Sequence, residues 1–302
     1  MPHHPQAFHH ELDRHISQLQ INLLEDTTSS IPIVTTISQY YFKKASGKKL
    51  RPRLVLLVAM STIPYTAKGD ISDLISPHRD LAEVVEMIHV ASLLHDDVLD
   101  ESPIRRGSPS APVTFGNKKT VLGDVVSTLV EGELRQASDS VRYTVTEWDA
   151  DFWVSYLEKT YMKTASLFAD SLRASVLLWG PDVPDQWIEA ASSYGKQLGM
   201  AFQIADDILD YLPVEPGCTS KPYGVDLKLG LITAPLFFAV QENPSIMDDI
   251  IAAVRETNAL KRSRELVKAY VDQAKSALSV LPDSDAKSCL LMIAEKLVHH
   301  DT

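Results

Sequence analysis

An all-α fold, with long helices packed around a central cavity, follows from three features of the sequence. Apolar residues recur at helical rather than alternating spacing along most of the chain. No alternating run is bounded by hairpin turn signals. No fixed-period repeat, heptad array or low-complexity tract points to a solenoid, a coiled coil or a disordered chain. With 302 residues, 45% of them hydrophobic, the chain has material for a sizeable core. Two acidic motifs lie too far apart in sequence to belong to separate small domains. One domain over 1–302 is therefore expected, with 1–12 as a flexible terminus.

The elements follow in order. Leu12 to Glu25 places Leu12, Ile16, Leu19 and Leu23 on one helical face, and Ile31 to Lys44 is a second helical candidate. Leu50 to Met60 is strongly apolar and follows a basic turn. Ser72 to Pro77 is read as a connector. His78 to Glu101 reads as one long helix, with Leu81, Val84, Val85, Ile88, Ala91 and Ser92 on a common face. Pro103, Gly107, Pro109, Pro112 and Gly116 make Ser102 to Asn117 a loop. Lys118 to Gln136 is helical again. Glu147 to Trp179 is a long apolar helix with a break near its middle, punctuated by Gly180, Pro181 and Pro184. Pro184 to Asp210 is another long helix, and Leu212 to Gly224 a loop. Ile232 to Gln241, Asp248 to Val254, Ala259 to Leu281 and Asp285 to His299 complete the set.

Composition narrows the function. A net charge of -11 argues against a nucleic-acid partner, which needs a basic face. Cys218 and Cys289 form neither a disulfide framework nor a zinc spacing, as expected of reduced thiols in an intracellular protein. No apolar run reaches the length of a membrane span. The first ten residues carry His3, His4, His9 and His10 but no Arg-rich amphipathic leader. Any leader is expected to have been removed before this numbering begins.

The chemistry centres on Asp96-Asp97-Val98-Leu99-Asp100. On a helix, Asp96 and Asp100 lie one turn apart on one face, where like charges destabilise a bare helix. A hard divalent cation would offset that repulsion. The pattern returns at Asp206-Asp207-Ile208-Leu209-Asp210, again closing an apolar helix. Two such runs suggest two walls of one metal-filled pocket. Cations cluster at Gly47-Lys48-Lys49-Leu50-Arg51-Pro52, at Arg105-Arg106-Gly107, at Lys163, and at Lys221 and Lys228. Cations beside clustered carboxylates in an acidic protein point to an anionic ligand bridged by metal. Arg and Lys grip phosphate oxygens directly, and Mg²⁺ links phosphate to Asp.

These motifs, with Lys163-Thr164 and the run from Gly199 through Gln203 to Asp210, resemble the trans-polyprenyl diphosphate synthases. The resemblance runs from about Leu19 to His299. The wording around Leu157 to Thr160 and Lys163 to Leu167 is most similar to the long-chain mitochondrial enzymes, hexaprenyl and decaprenyl diphosphate synthases, that make the ubiquinone side chain. It implies an isoprenoid-synthase-type helical bundle. It also implies an Mg²⁺-dependent, head-to-tail condensation of isopentenyl diphosphate onto an allylic diphosphate of farnesyl or geranylgeranyl type. Asp96, Asp97, Asp100, Asp206, Asp207 and Asp210 would hold Mg²⁺. Arg105, Lys163, Thr164, Gln203, Lys221 and Lys228 would hold the allylic substrate, and Lys48, Arg51, His89 and Arg106 the isopentenyl diphosphate. Asp96, Asp97, Lys163, Gln203 and Asp206 would serve catalysis most directly. A homodimer, or a hetero-oligomer with a related subunit, is implied, together with peripheral membrane contact for product release. The implied address is mitochondrial, and otherwise cytoplasmic.

Product length can be argued from the first motif's helix. One isoprene unit is about as long as one helical turn of ~5.4 Å. Ala91 and Ser92, five and four residues before Asp96, are both small. An aromatic there would floor the product tunnel early, so the small pair predicts a long product.

Two spacings are shorter than in the family, after Asp124 and after Pro244. Because both flanks still match, they are read as segments absent from a renumbered chain. Ser220-Lys221 stands where the family usually has Gly-Lys. Two rival functions share parts of the pattern. A class I terpene cyclase, or the prenyltransferase part of a cyclase fusion, would usually lack the second acidic motif and the Lys48/Arg51 group. A regulatory subunit of a heteromeric synthase would usually have eroded acidic motifs, and both are intact here.

Overall fold

The computed structural model describes residues 5–28, 32, 35–36, 39–43, 49–99, 104–105, 108–115, 150–212, 233–243 and 254–299. Side chains of 5–7, 95–99, 104–105, 108, 112, 115 and 150–152 are not among those described. The described chain is all-α apart from one two-residue ribbon. Helix α1 is Pro5–Asp26, α2 Tyr40–Lys43, α3 Leu50–Ser61, α4 Ile71–Leu74 and α5 Ser76–Leu99. Strands β1 (Ile104–Arg105) and β2 (Ser108–Pro109) pair antiparallel, and α6 (Ala111–Phe115) follows. Helix α7 (Ala150–Thr160) continues through a π-helical turn, Tyr161–Ala165, into α8 (Ser166–Leu177). Then come α9 (Asp185–Leu209), α10 (Ala234–Glu242), α11 (Ala259–Ala277) with a 3₁₀ turn at Leu278–Val280, and α12 (Asp285–Val298).

Helix α3 lies at the centre. Leu54 through Ala59 are almost completely buried, as expected of a helix that is apolar all round. It packs against α1, α5, α8 and α12. Helix α9 runs between α8 and α11. A Cβ on Gly195 would lie 2.5 Å from the Phe168 carbonyl oxygen, and one on Gly199 2.6 Å from the Cα of Ala165. These glycines let α9 press directly on the π turn and the start of α8.

The structure departs from the sequence reading in four places. The first helix starts at Pro5, inside the stretch expected to be a flexible terminus. The expected connector Ser72 to Pro77 is largely helical. Asp70 caps α4 by accepting from the Ser72 amide at 2.8 Å. Pro77 sits in the first turn of α5, where no amide hydrogen is needed. Ribbon β1–β2 and helix α6 lie within the expected loop Ser102 to Asn117.

The fourth departure is the buried face of α5. It carries Ala82, Val85, Val90 and Leu94, whereas Val84 is 46% exposed and Ser92 is exposed. The expected stripe is displaced because the core side of α5 also holds Glu83 and Glu86. These are buried against Asn22 and Lys49, at 2.6 Å and 2.8 Å. The candidate helix Lys118 to Gln136 lies outside the described residues, as does Asp248 to Val254 apart from Val254. Cys289 is a buried free thiol. Among the described residues no helix is long and apolar enough to cross a membrane.

Candidate active site

Two groups of sequence-predicted residues are assembled. The first joins the start of α3 to the middle of α5. Arg51 Nη1 lies 3.1 Å from His89 Nε2. A guanidinium only donates, so Nε2 is the acceptor. The Arg51 guanidinium also rests 4.5 Å from the centroid of the Phe168 ring, a cation–π contact that orients its plane. Beside this pair, Lys49 donates to Glu86 at 2.8 Å, with both side chains buried.

The second group lies between α7, the π turn and α9. Thr164 Oγ1 donates to Gln203 Oε1 at 2.7 Å, and Gln203 Nε2 donates to Asp207 Oδ1 at 2.9 Å. Tyr156 OH donates to Asp207 Oδ2 at 2.7 Å. Gln203 and Asp207 are one helical turn apart, so their side chains meet on one face of α9. Burial, followed by the Asp207 charge and the hydrogen bond to it, pushes the Tyr156 phenol well above its ordinary pKa. It is therefore a neutral donor at any working pH. Asp207 is 4% exposed, so its carboxylate needs those donors: a buried charge is costly unless paired and hydrogen-bonded. Its neighbour Asp206 is exposed, as is Lys163 in the π turn, and Asp210 is buried just past the end of α9.

The remaining predicted residues divide as follows. The backbones of Asp96 and Asp97 lie in the last turns of α5 and that of Arg105 in β1; their side chains lie outside the described set. So do Lys48, Asp100, Arg106, Lys221 and Lys228 altogether. Ala91 is half-buried and Ser92 exposed, its hydroxyl donating to the His89 carbonyl at 2.8 Å. Among the described residues no three His, Cys, Asp or Glu side chains group closely enough to hold a metal ion. The exposed Asp206 carboxylate, braced by its hydrogen-bonded neighbour, is a hard oxygen donor of the type Mg²⁺ or Ca²⁺ takes.

A polyprenyl synthetase family model matches residues 31–126 and 120–270. The chain belongs to the polyprenyl synthetase family. It is a prenyltransferase. It is 37% identical over 332 aligned residues to a protein named as a probable mitochondrial hexaprenyl pyrophosphate synthase of Neurospora crassa. That match covers 85% of this chain and 73% of the relative. It is 33% identical to decaprenyl-diphosphate synthase subunit 1 of Schizosaccharomyces pombe, over 96% of this chain and 90% of the relative. The fold matches a Caulobacter crescentus polyprenyl synthase crystallised with calcium and isoprenyl diphosphate. There the TM-score is 0.79 and the identity 26%, over 98% of this chain and 97% of that one. The 332 aligned positions exceed the 302 residues of this chain, so the Neurospora protein carries segments that this chain lacks. The family match is split at 120–126, beside the short spacing after Asp124.

Sequence reasoning missed Tyr156, Lys49 and Glu86 as parts of the site. Tyr156 reads as an ordinary aromatic of an apolar helix, and nothing in its spacing from Asp207 links them. Lys49 stood inside a quoted motif, but only its partner across 37 residues shows what it does.

Proposed function

We propose that this prenyltransferase is a long-chain trans-polyprenyl diphosphate synthase. It would extend a farnesyl- or geranylgeranyl-type diphosphate with isopentenyl diphosphate to make the ubiquinone side chain. The observation that carries the reading is the pair of hydrogen-bonded groups built from motif residues, Arg51–His89 on one side and Thr164–Gln203–Asp207 on the other. Their partition matches a reaction with two diphosphate substrates.

Arg51 and His89, with Lys48 and Arg106, would grip isopentenyl diphosphate. Lys163, Thr164 and Gln203, with Arg105, Lys221 and Lys228, would hold the allylic diphosphate. Mg²⁺ held by Asp206 and by Asp96, Asp97, Asp100 and Asp210 would supply positive charge to the leaving diphosphate oxygens. Asp207, whose two oxygens accept from Tyr156 and Gln203, would brace that end of α9 as well as contribute charge. Lys163 and Arg105 would stabilise the charge that develops as the allylic carbon–oxygen bond breaks. The isopentenyl double bond then attacks the allylic cation, and loss of a proton to the released diphosphate restores a double bond. Holding both diphosphates fixes the reacting carbons in line.

A long product is supported by the face of α5 that carries Val84, Ile88, Ala91 and Ser92. Val84 is exposed and Ala91 and Ser92 are small, so the described core does not fill that face. The name of the Neurospora relative supports a mitochondrial address. Helices α1 and α12 pack on α3 from outside or beyond the family match, which supports one domain over 1–302.

Chromatography of products from labelled isopentenyl diphosphate, a farnesyl primer and Mg²⁺ tests the reading. Chains longer than geranylgeranyl, lost in Asp97→Ala, are expected. Products no longer than geranylgeranyl would refute the long-chain assignment. Because the Schizosaccharomyces relative is named as a subunit, a hetero-oligomer is the second reading of the assembly. Turnover that appears only when a related subunit is co-expressed would favour it over a homodimer.

A further inference from the structure

We propose that the buried Lys49–Glu86 ion pair is a positioning device for the isopentenyl-diphosphate side of the site. It holds Lys49, the residue just before α3, in a left-handed conformation and so fixes where Arg51 meets His89. The inference rests on the functional reading above. Three observations converge on it.

First, Lys49 has φ 45° and ψ 50°, and among the described residues no other residue except glycine has a positive φ. A Cβ makes that region costly, and such a residue persists only where its surroundings over-determine it. Here Glu86 Oε1 lies 2.8 Å from the ammonium nitrogen, which also sits 5.6 Å from the centroid of the Phe42 ring. Second, the two side chains are 3% and 2% exposed. Desolvation of a pair buried this deeply consumes most of the Coulombic gain, so stability is a poor account of its presence.

Third, the register is shared. Lys49 and Arg51 stand two residues apart at the start of α3. Glu86 and His89 stand one turn apart on α5. The contacts Lys49–Glu86 and Arg51–His89 therefore run side by side between the same two helices, and the second takes its register from the first. Lys49 acts through Arg51 and His89.

The test pairs a Lys49→Met/Glu86→Met double variant with Lys49→Arg. Replacing a buried ion pair by apolar groups of similar volume is commonly neutral or stabilising. The double variant is therefore expected to melt at or above the wild-type temperature. Calorimetric titration with isopentenyl diphosphate should show about tenfold or greater weakening, since a displaced binding group can cost up to ~100-fold. Affinity for farnesyl diphosphate should be unchanged, and Lys49→Arg should recover most of the loss. A folded double variant with wild-type affinity for isopentenyl diphosphate overturns the proposal. If the double variant does not fold, Glu86→Gln, which keeps the shape and removes the charge, must show the same selective loss. Wild-type affinity in Glu86→Gln also overturns it. A wild-type chain that binds isopentenyl diphosphate without extending any primer sinks the functional reading, while the affinity comparison still judges the pair. A wild-type chain that binds none overturns both.

Discussion

Replacing Tyr156 by Phe removes one oxygen and one donated hydrogen bond from the second acidic motif. The ring itself stays in place. It stacks on Trp153 with centroids 5.3 Å apart and planes at 25°, and Trp153 in turn stacks on Phe237 at 4.6 Å. Asp207 Oδ2 loses a donor at 2.7 Å while Oδ1 keeps Gln203, and the Thr160 side chain and the Ala234 backbone lose the phenol oxygen as a hydrogen-bond partner. A hydrogen bond to a charged partner contributes about 1.5–3 kcal/mol. If half of that orients the carboxylate in the transition state, kcat falls by roughly 3- to 13-fold. The Mg²⁺ concentration for half-maximal rate should rise with it. The KM for isopentenyl diphosphate should not move, because Arg51 and His89 sit on other helices. Melting temperature should fall by only a few degrees. The assay is steady-state incorporation across an Mg²⁺ titration, with circular-dichroism melting of both proteins. A folded Tyr156→Phe enzyme with wild-type kcat and wild-type Mg²⁺ dependence would refute the role given to Tyr156.

Three further outcomes are expected. Gly199→Ala places a Cβ 2.6 Å from the Cα and 2.9 Å from the Cβ of Ala165. Overpacking of that kind costs about 1–3 kcal/mol and should weaken the Thr164–Gln203 contact, so both melting temperature and rate drop; an unchanged pair of values would show that α9 shifts freely. Burial pushes the imidazole of His78 down, and that of His15 down with help from Arg79. The unfolded chain therefore takes up protons below about pH 6.5 that the folded chain does not. These groups contribute full stability above that value and lose it as pH falls through the window beneath it, with Glu83, raised by burial, acting in the opposite sense nearer its own range. Urea midpoints that stay flat from about pH 7 to 5.5 would contradict the linkage. Ala91→Phe or Ser92→Phe should shorten the product, read by chromatography of the dephosphorylated chains, and an unchanged chain length would dispose of α5 as the ruler.

The long helices were legible because burial of one face imposes a 3.6-residue period. The stretch Pro184 to Asp210 shows this: the observed helix is Asp185–Leu209. The motif residues were legible for a different reason: diphosphate chemistry restricts residue type, and Asp, Lys and Arg at those spacings are hard to explain otherwise. The face of α5 was misjudged because hydrophobicity was used to find its inside. Glu83 and Glu86 are buried there by specific partners 61 and 37 residues away in sequence, and no local pattern carries that information. The stretch Ser72 to Pro77 is not a plain connector because Asp70 caps one short helix and Pro77 sits in the first turn of the next.

The π turn at Tyr161–Ala165 shows how local irregularity and site geometry depend on each other. In an uninterrupted α-helix, at about 100° per residue, Tyr156 and Thr164 would point about 80° apart. A π turn closes its hydrogen bond over one more residue than an α turn. That extra residue removes about 100° of rotation and brings the two side chains to within roughly 20° of a common face. Both then reach α9, Thr164 at Gln203 and Tyr156 at Asp207, two positions one turn apart. Gly199 lies one turn before Gln203 and meets Ala165 at the end of the π turn. Only a residue without a side chain lets the two backbones approach closely enough for those bonds to close. No proline or glycine marks the irregularity within 150–177, so the break in the sequence pattern there gave its place without its form. What selects the π geometry is the pairing across to α9, and that pairing ties a helix defect to the start of the second acidic motif.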